Sequence, residues 1–170
     1  ITFFLTVIFD LTVAIEVGLV IACVLFMKRV METTEISVIT DEIDPNKESD
    51  IAVHEENLMI PKGIEVYEIN GPYFFGIATK FEETMTQLGD RPKVRIIRMR
   101  KVPFIDSTGI HNLTTLCEMS QKEKTTVILS GVNENVHNVL EKAGFYELLG
   151  KENICPNINV ALERAKSLVK

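Results

Sequence analysis

At 170 residues the chain has room for one domain of ordinary size and an appendage. Its formal net charge of -6, with no basic stripe, excludes a nucleic-acid partner, because phosphate backbones need clustered Lys and Arg. Cys23, Cys117 and Cys155 are far apart and odd in number, with no Cys-x-x-Cys pair, which argues against a disulfide framework or a zinc knuckle and for a reducing compartment.

The composition changes abruptly along the chain. Residues Ile1 to Met27 carry two charged side chains, Asp10 and Glu16, among Val, Leu, Ile and Phe, whereas from Lys28 onward the mixture is that of a soluble protein. The chain opens on Ile1 inside an apolar run, so it is expected to be a piece of something longer.

Val17 to Met27, VGLVIACVLFM, has apolar residues on every face of a helix, the pattern of a helix buried all round. A span needs about 20 such residues. Asp10 and Glu16 would each cost roughly 2.5–3.5 kcal/mol at the centre of one straight helix. The segment therefore reads as two elements. ITFFLTVIF ends one membrane segment, and a last membrane helix runs over about residues 11–29, with Asp10 at the turn as its cap and Glu16 facing protein or a wet cavity. Lys28 and Arg29 follow at once and mark the cytoplasmic side; a signal peptide would carry its basic residues ahead of the apolar run.

Residues 31–62 form an acidic linker with a turn at Asp44-Pro45-Asn46, within which ISVIT has the composition of a short strand. Residues 63–170 then hold the folded domain. IEVYEI and YFFGIA read as two strands pairing antiparallel across Asn70-Gly71-Pro72. KFEETMTQL places Phe81, Met85 and Leu88 on one helical stripe, closed by Gly89. VRIIRM is a buried strand.

Next, Ile110, Leu113, Leu116 and Cys117 follow helical spacing behind a cap at Asp106 or Ser107. TTVILS is another buried strand. NENVHNVLEKAG aligns Val136, Val139, Leu140 and Ala143, and NINVALERAKSLV aligns Ile158, Ala161, Leu162, Ala165 and Leu168. The order β-β-α-β-α-β-α-α implies an α/β domain: one sheet of about four to five strands, with right-handed helical crossovers and helices mainly on one face.

The strand-to-helix turn FIDSTG, Asp106-Ser107-Thr108-Gly109, together with this order resembles the STAS domain. That fold is shared by bacterial anti-sigma factor antagonists and the tails of sulfate permease (SulP) transporters. VRIIRMRKVPFIDSTGIHNL looks like a SulP tail in particular, VILSGVNENVHNVLEKAGF resembles the family's fourth strand and third helix, and FDLTVAIEVGLVIACVLFMKR is similar to its last membrane helix.

The resemblance implies a cytoplasmic regulatory or assembly domain of an integral membrane transporter for sulfate or a related anion. It implies a homodimer, with the membrane domain of the same transporter as partner and the anion bound by the upstream part. It carries the phosphorylation site of the antagonist branch onto Ser107, where a phosphate would meet the free amides and positive dipole of a helix start. A partner-switching module controlled at Ser107, with a cytoplasmic regulatory protein as partner, is the alternative; nucleotide binding near Asp106 is a third reading. Capping by Asp106 and Ser107 and close packing at Gly109 explain the same residues without any function.

No enzyme, cofactor or metal is expected. His54, His111 and His137 lie on separate elements without ligand spacing, and there is neither a phosphate loop nor a catalytic triad pattern. Cys117 falls on the apolar side of its helix. Arg95, Arg98, Arg100 and Lys101 read as a solvated strand end or an anion, lipid or transporter contact, and Tyr73-Phe74-Phe75 as core or a docking knob.

Overall fold

The computed structural model describes residues 11–32, 35–39, 42–43, 58–73 and 91–169, in two compact units divided after Thr34. In the first, α1 (Leu11–Glu32) is a 22-residue helix. Leu11–Arg29 is long and apolar enough to cross a membrane, at about 28 Å for 1.5 Å per residue. Its large side chains, among them Leu19, Val20, Leu25 and Phe26, are exposed. Glu16 lies on this helix, also exposed; Asp10 falls outside the described residues.

The second unit is built on a five-stranded sheet in the order β1 (Glu35–Ile39), β4 (Ile64–Asn70), β5 (Val94–Lys101), β6 (Thr126–Ser130), β7 (Ile154–Cys155). β1 runs antiparallel to β4, and the other pairs are parallel. A two-residue ladder, β2 (Glu42–Ile43) with β3 (Leu58–Met59), stands apart. The ISVI of ISVIT thus lies in a strand of the main sheet, Glu35–Ile39, within the acidic stretch. It also takes the place expected for YFFGIA: β1 and β5 occupy both edges of β4, so the antiparallel partner of IEVYEI is β1. Tyr73 makes a parallel bridge to Ile105, and residues 74–90, with the rest of YFFGIA and the KFEETMTQL helix, lie outside the described residues.

Strand alternation sends successive side chains to opposite faces. One face (Tyr67, Ile69, Ile97, Met99, Val127, Leu129) packs against α2 (Ser107–Lys122), α3 (Glu134–Lys142) and α4 (Phe145–Leu149) through Leu113, Leu116, Cys117, Val136, Leu140 and Phe145. The other (Val66, Val94, Ile96, Ile128) is covered by Ile158, Ala161, Leu162 and Ala165 of α5 (Ile158–Val169). Of the helices among the described residues, three lie on one face and one on the other. Burial follows the helical stripes except at Val139, Ala143 and Leu168, which are exposed. The short α4 and β7, joined by a 3-10 turn at Lys151–Asn153, are additions to the expected order.

Candidate functional site

β5 delivers the chain to the Asp106 turn. Val102 N–H donates to Met99 O at 3.0 Å, and Phe104 O accepts from Tyr73 N–H at 3.1 Å, so the strand ends in a pinned lead-in. Asp106 is the N-cap of α2, in extended conformation, and its Oδ1 accepts from Gly109 N–H at 2.7 Å. The carboxylate thus satisfies one of the helix's initial amides and complements its dipole. Of the two candidate caps, Asp106 has the role.

Ser107 is the first helical residue and is exposed, as is Asp106; Thr108 is half-buried and Gly109 buried. A Cβ on residue 109 would lie 2.4 Å from Tyr73 O and 2.8 Å from Ile105 Cγ1. Glycine is required there by space, so that α2 can lie against the Tyr73–Ile105 bridge. The exposed Ser107 hydroxyl stands at a helix start with the positive end of a 16-residue helix behind it. A phosphate on that oxygen would be stabilised by amides and dipole, and opposed by the Asp106 carboxylate beside it.

The basic residues of β5 do not form one patch, because strand alternation divides them. Arg95 is buried on the α2 face: Nη1 donates to Ser120 Oγ at 2.8 Å, Nη2 is 3.8 Å from Glu65 Oε2, and the guanidinium lies 5.7 Å from the Tyr67 ring centre. The Tyr67 hydroxyl donates to the same Glu65 oxygen at 2.8 Å. Burial, and next that hydrogen bond, hold the Tyr67 phenol above the usual tyrosine range. Arg98 is buried on the opposite face, 3.6 Å from Glu68 Oε1, which Lys101 approaches to 3.5 Å. Both arginines are thus used within the fold.

Other candidates are placed as follows. Cys117 is buried under α2, and burial pushes its thiol up to about 12, so it is neutral at physiological pH. His111 is exposed on α2; His137 on α3 shares a 2.5 Å hydrogen bond with the Tyr146 hydroxyl; His54 lies outside the described residues. Among the described residues no three His, Cys, Asp or Glu side chains gather where they could hold a metal. Tyr73 belongs to the core, while Phe74 and Phe75 are outside the described residues. A cleft of roughly 270 Å³ opens between the end of α2 and the start of β6, lined by Gln121, Lys124, Thr125 and Asn153 among others. It is at the opposite end of α2 from Ser107.

Sequence reading missed Asn133. Its Oδ1 caps α3, accepting from Val136 N–H at 2.9 Å, while its Nδ2 donates to Val102 O in the lead-in to the Asp106 turn. The Asn-x-x-Val start of α3 signals the cap, but nothing local signals the second bond, whose partner is 31 residues away.

The five-stranded sheet, the helices on its two faces and the exposed serine at a helix head define the class: an α/β module of the STAS type. The STAS-domain family matches residues 57–161, and the chain belongs to that family. Its relatives include a sulfate transporter family protein and the STAS domain of a SulP transporter. A sulfate transporter family protein from Wolinella succinogenes is 44% identical, with a TM-score of 0.63 over 66% of this chain and 92% of that one. The STAS domain of a SulP transporter from Vibrio cholerae is 35% identical, with a TM-score of 0.59 over 65% of this chain and 87% of that one. YvdB of Bacillus subtilis (strain 168), a protein named for sulfate transport, is 28% identical over 153 residues, 89% of this chain. The chain spans 27% of that relative's length.

Proposed function

We propose that this chain is the regulatory and assembly end of a secondary anion transporter, its last membrane helix followed by a STAS domain on the cytoplasmic side. The observation that carries the reading is the conjunction, in one chain, of a membrane-length apolar helix with a STAS domain 44% and 35% identical to those of sulfate transporter relatives. Residues 1–30 belong to the membrane domain, 31–62 to the acidic connector and 63–170 to the STAS domain. Lys28 and Arg29 directly after the apolar run favour the cytoplasmic placement.

In this reading the intact protein moves sulfate or a related small anion, which is bound by the remainder of the transporter. The membrane domain of the same protein is the STAS domain's partner, and the assembly is a homodimer. The fragment catalyses no reaction. Asp10 and Glu16 face protein or water within the membrane domain.

Ser107 is the regulatory position. Its exposure at the head of α2, beside a capping carboxylate, supports modification or partner docking there. That same exposure favours the alternative of a partner-switching module controlled by a kinase. Labelled sulfate uptake by vesicles carrying the full-length transporter with S107D or S107A separates the two, together with a mass-spectrometric search for phosphate on Ser107. The regulatory reading expects S107D to change the uptake rate and S107A to leave it near the parent's. An unaltered rate in S107D and an unmodified serine would leave the turn a helix cap and nothing more.

A further inference from the structure

The lead-in to the serine turn is tied to the next helix by one bifunctional side chain. Asn133 precedes α3, and both ends of its carboxamide are used: Oδ1 accepts from Val136 N–H at 2.9 Å, and Nδ2 donates to Val102 O at 2.5 Å. Val102 is fully buried. It is followed by Pro103, which has no N–H to give, and four residues later by Asp106. Capping alone does not require asparagine, since Asp and Ser cap about as well. Of these residues, asparagine alone offers a donor and an acceptor on one planar group in the geometry needed to bridge two chain segments.

The segment that presents Asn133 is itself held firmly. Gly131 takes φ +68°, a conformation L side chains rarely adopt, and its N–H donates to Cys155 O at 3.0 Å. A Cβ at Gly131 would stand 3.3 Å from Arg100 Cβ, so this connection lies directly against the end of β5. Beyond Asn133, His137 carries the contact from α3 to Tyr146 on α4.

We propose that Asn133 is a positioning residue of the serine turn, coupling the Val102–Asp106 lead-in to the head of α3 so that a charge placed on Ser107 is felt along α3. The inference rests on the reading of Ser107 as the regulatory position, and deepens it by naming the element that receives the signal. The coupling runs from the Asp106 cap of the Ser107 helix back along the covalent backbone of residues 102–106 to the Val102 carbonyl, and from there through the Asn133 carboxamide to the Val136 amide.

The test is amide NMR of this chain in detergent micelles, comparing S107D with the parent in three backgrounds: Asn133 intact, N133D and N133S. Both variants keep an α3 cap, so the helix persists. N133D has no donor for Val102 O, and the serine side chain is too short to reach it. With Asn133 intact, S107D is expected to shift the Val136 and His137 amides as well as Thr108 and Gly109. In N133D and N133S the shifts at Thr108 and Gly109 remain and those at Val136 and His137 are lost. Full-sized α3 shifts in both variants, or no α3 shift with Asn133 intact, would overturn the coupling. Uptake by the full-length S107D transporter reads the other question: an unchanged rate with Asn133-dependent shifts removes the regulatory role and leaves the coupling in place.

Discussion

Gly109 and the backbone carbonyl of Tyr73 approach so closely that a Cβ on residue 109 would sit 2.4 Å from the carbonyl oxygen. The obstacle is backbone, held by the Tyr73–Ile105 bridge and by the bond from Tyr73 N–H to Phe104 O. Relief therefore requires moving α2 as a whole. G109A is expected to destabilise the domain by about 1–3 kcal/mol, the usual cost of overpacking, although alanine is the better helix former. Denaturant unfolding of the chain in detergent, followed by tyrosine fluorescence, measures it.

The Asp106 cap gives a second expectation. D106A loses the bond to Gly109 N–H and is expected to cost about 1 kcal/mol, whereas D106N, which retains an acceptor, costs a few tenths at most. The comparison by the same unfolding assay separates capping from charge. If removal of the negative charge beside Ser107 also eases phosphate placement, D106N is the background in which a phosphorylated Ser107 is held most firmly.

Arg95 is a buried cation whose partners are Ser120, Glu65 and the Tyr67 face. R95A leaves Glu65 without that ion pair and opens a gap beneath α2, and is expected to cost about 3–5 kcal/mol. The double change R95M/E65Q should recover much of that loss, because an apolar chain of similar length fills the space and no charge is stranded. Unfolding free energies of the two variants, measured under one condition, decide it.

These residues also show how far the sequence alone can be read. The Asp106 cap was legible, since Asp-Ser ahead of an Ile110–Leu113–Leu116–Cys117 stripe is a helix start by local chemistry. The division of Arg95 from Arg98 was legible in principle from the period of two along β5. β1 was seen as a possible strand, yet its partner was not, because YFFGIA was nearer in the chain and register with β4 is set by the whole sheet. α4 and β7, of five and two residues, are too short to display a period. Asn133 went unread, although Asn-x-x-Val is a local cap signal, and its grip on Val102 depends on how β5 and β6 lie side by side.

Cys117 predicts the domain's behaviour in alkali. Its folded-state value is raised by burial from 9.0 to about 12, so the neutral thiol is favoured in the fold. The stabilisation is complete below pH 9, the unfolded value, and is lost as pH climbs from there toward 12, because the unfolded chain ionises first. Tyr73, raised mainly by burial, acts in the same direction above pH 10. The denaturant midpoint is expected to fall between pH 9 and pH 11, with a shallower fall in C117A. Native iodoacetamide treatment should leave Cys117 unlabelled, whereas in denaturant the same residue is modified readily.

The proposal of a regulatory end on an anion transporter is tested most directly by labelled sulfate uptake into proteoliposomes. The full-length protein is compared with the same protein ended after residue 62, at equal amounts in the membrane. The account predicts that the full-length protein takes up the anion and that removing residues 63–170 alters the rate while leaving anion-dependent uptake detectable. Equal rates with and without those residues, or a full-length protein that takes up no anion, would contradict it.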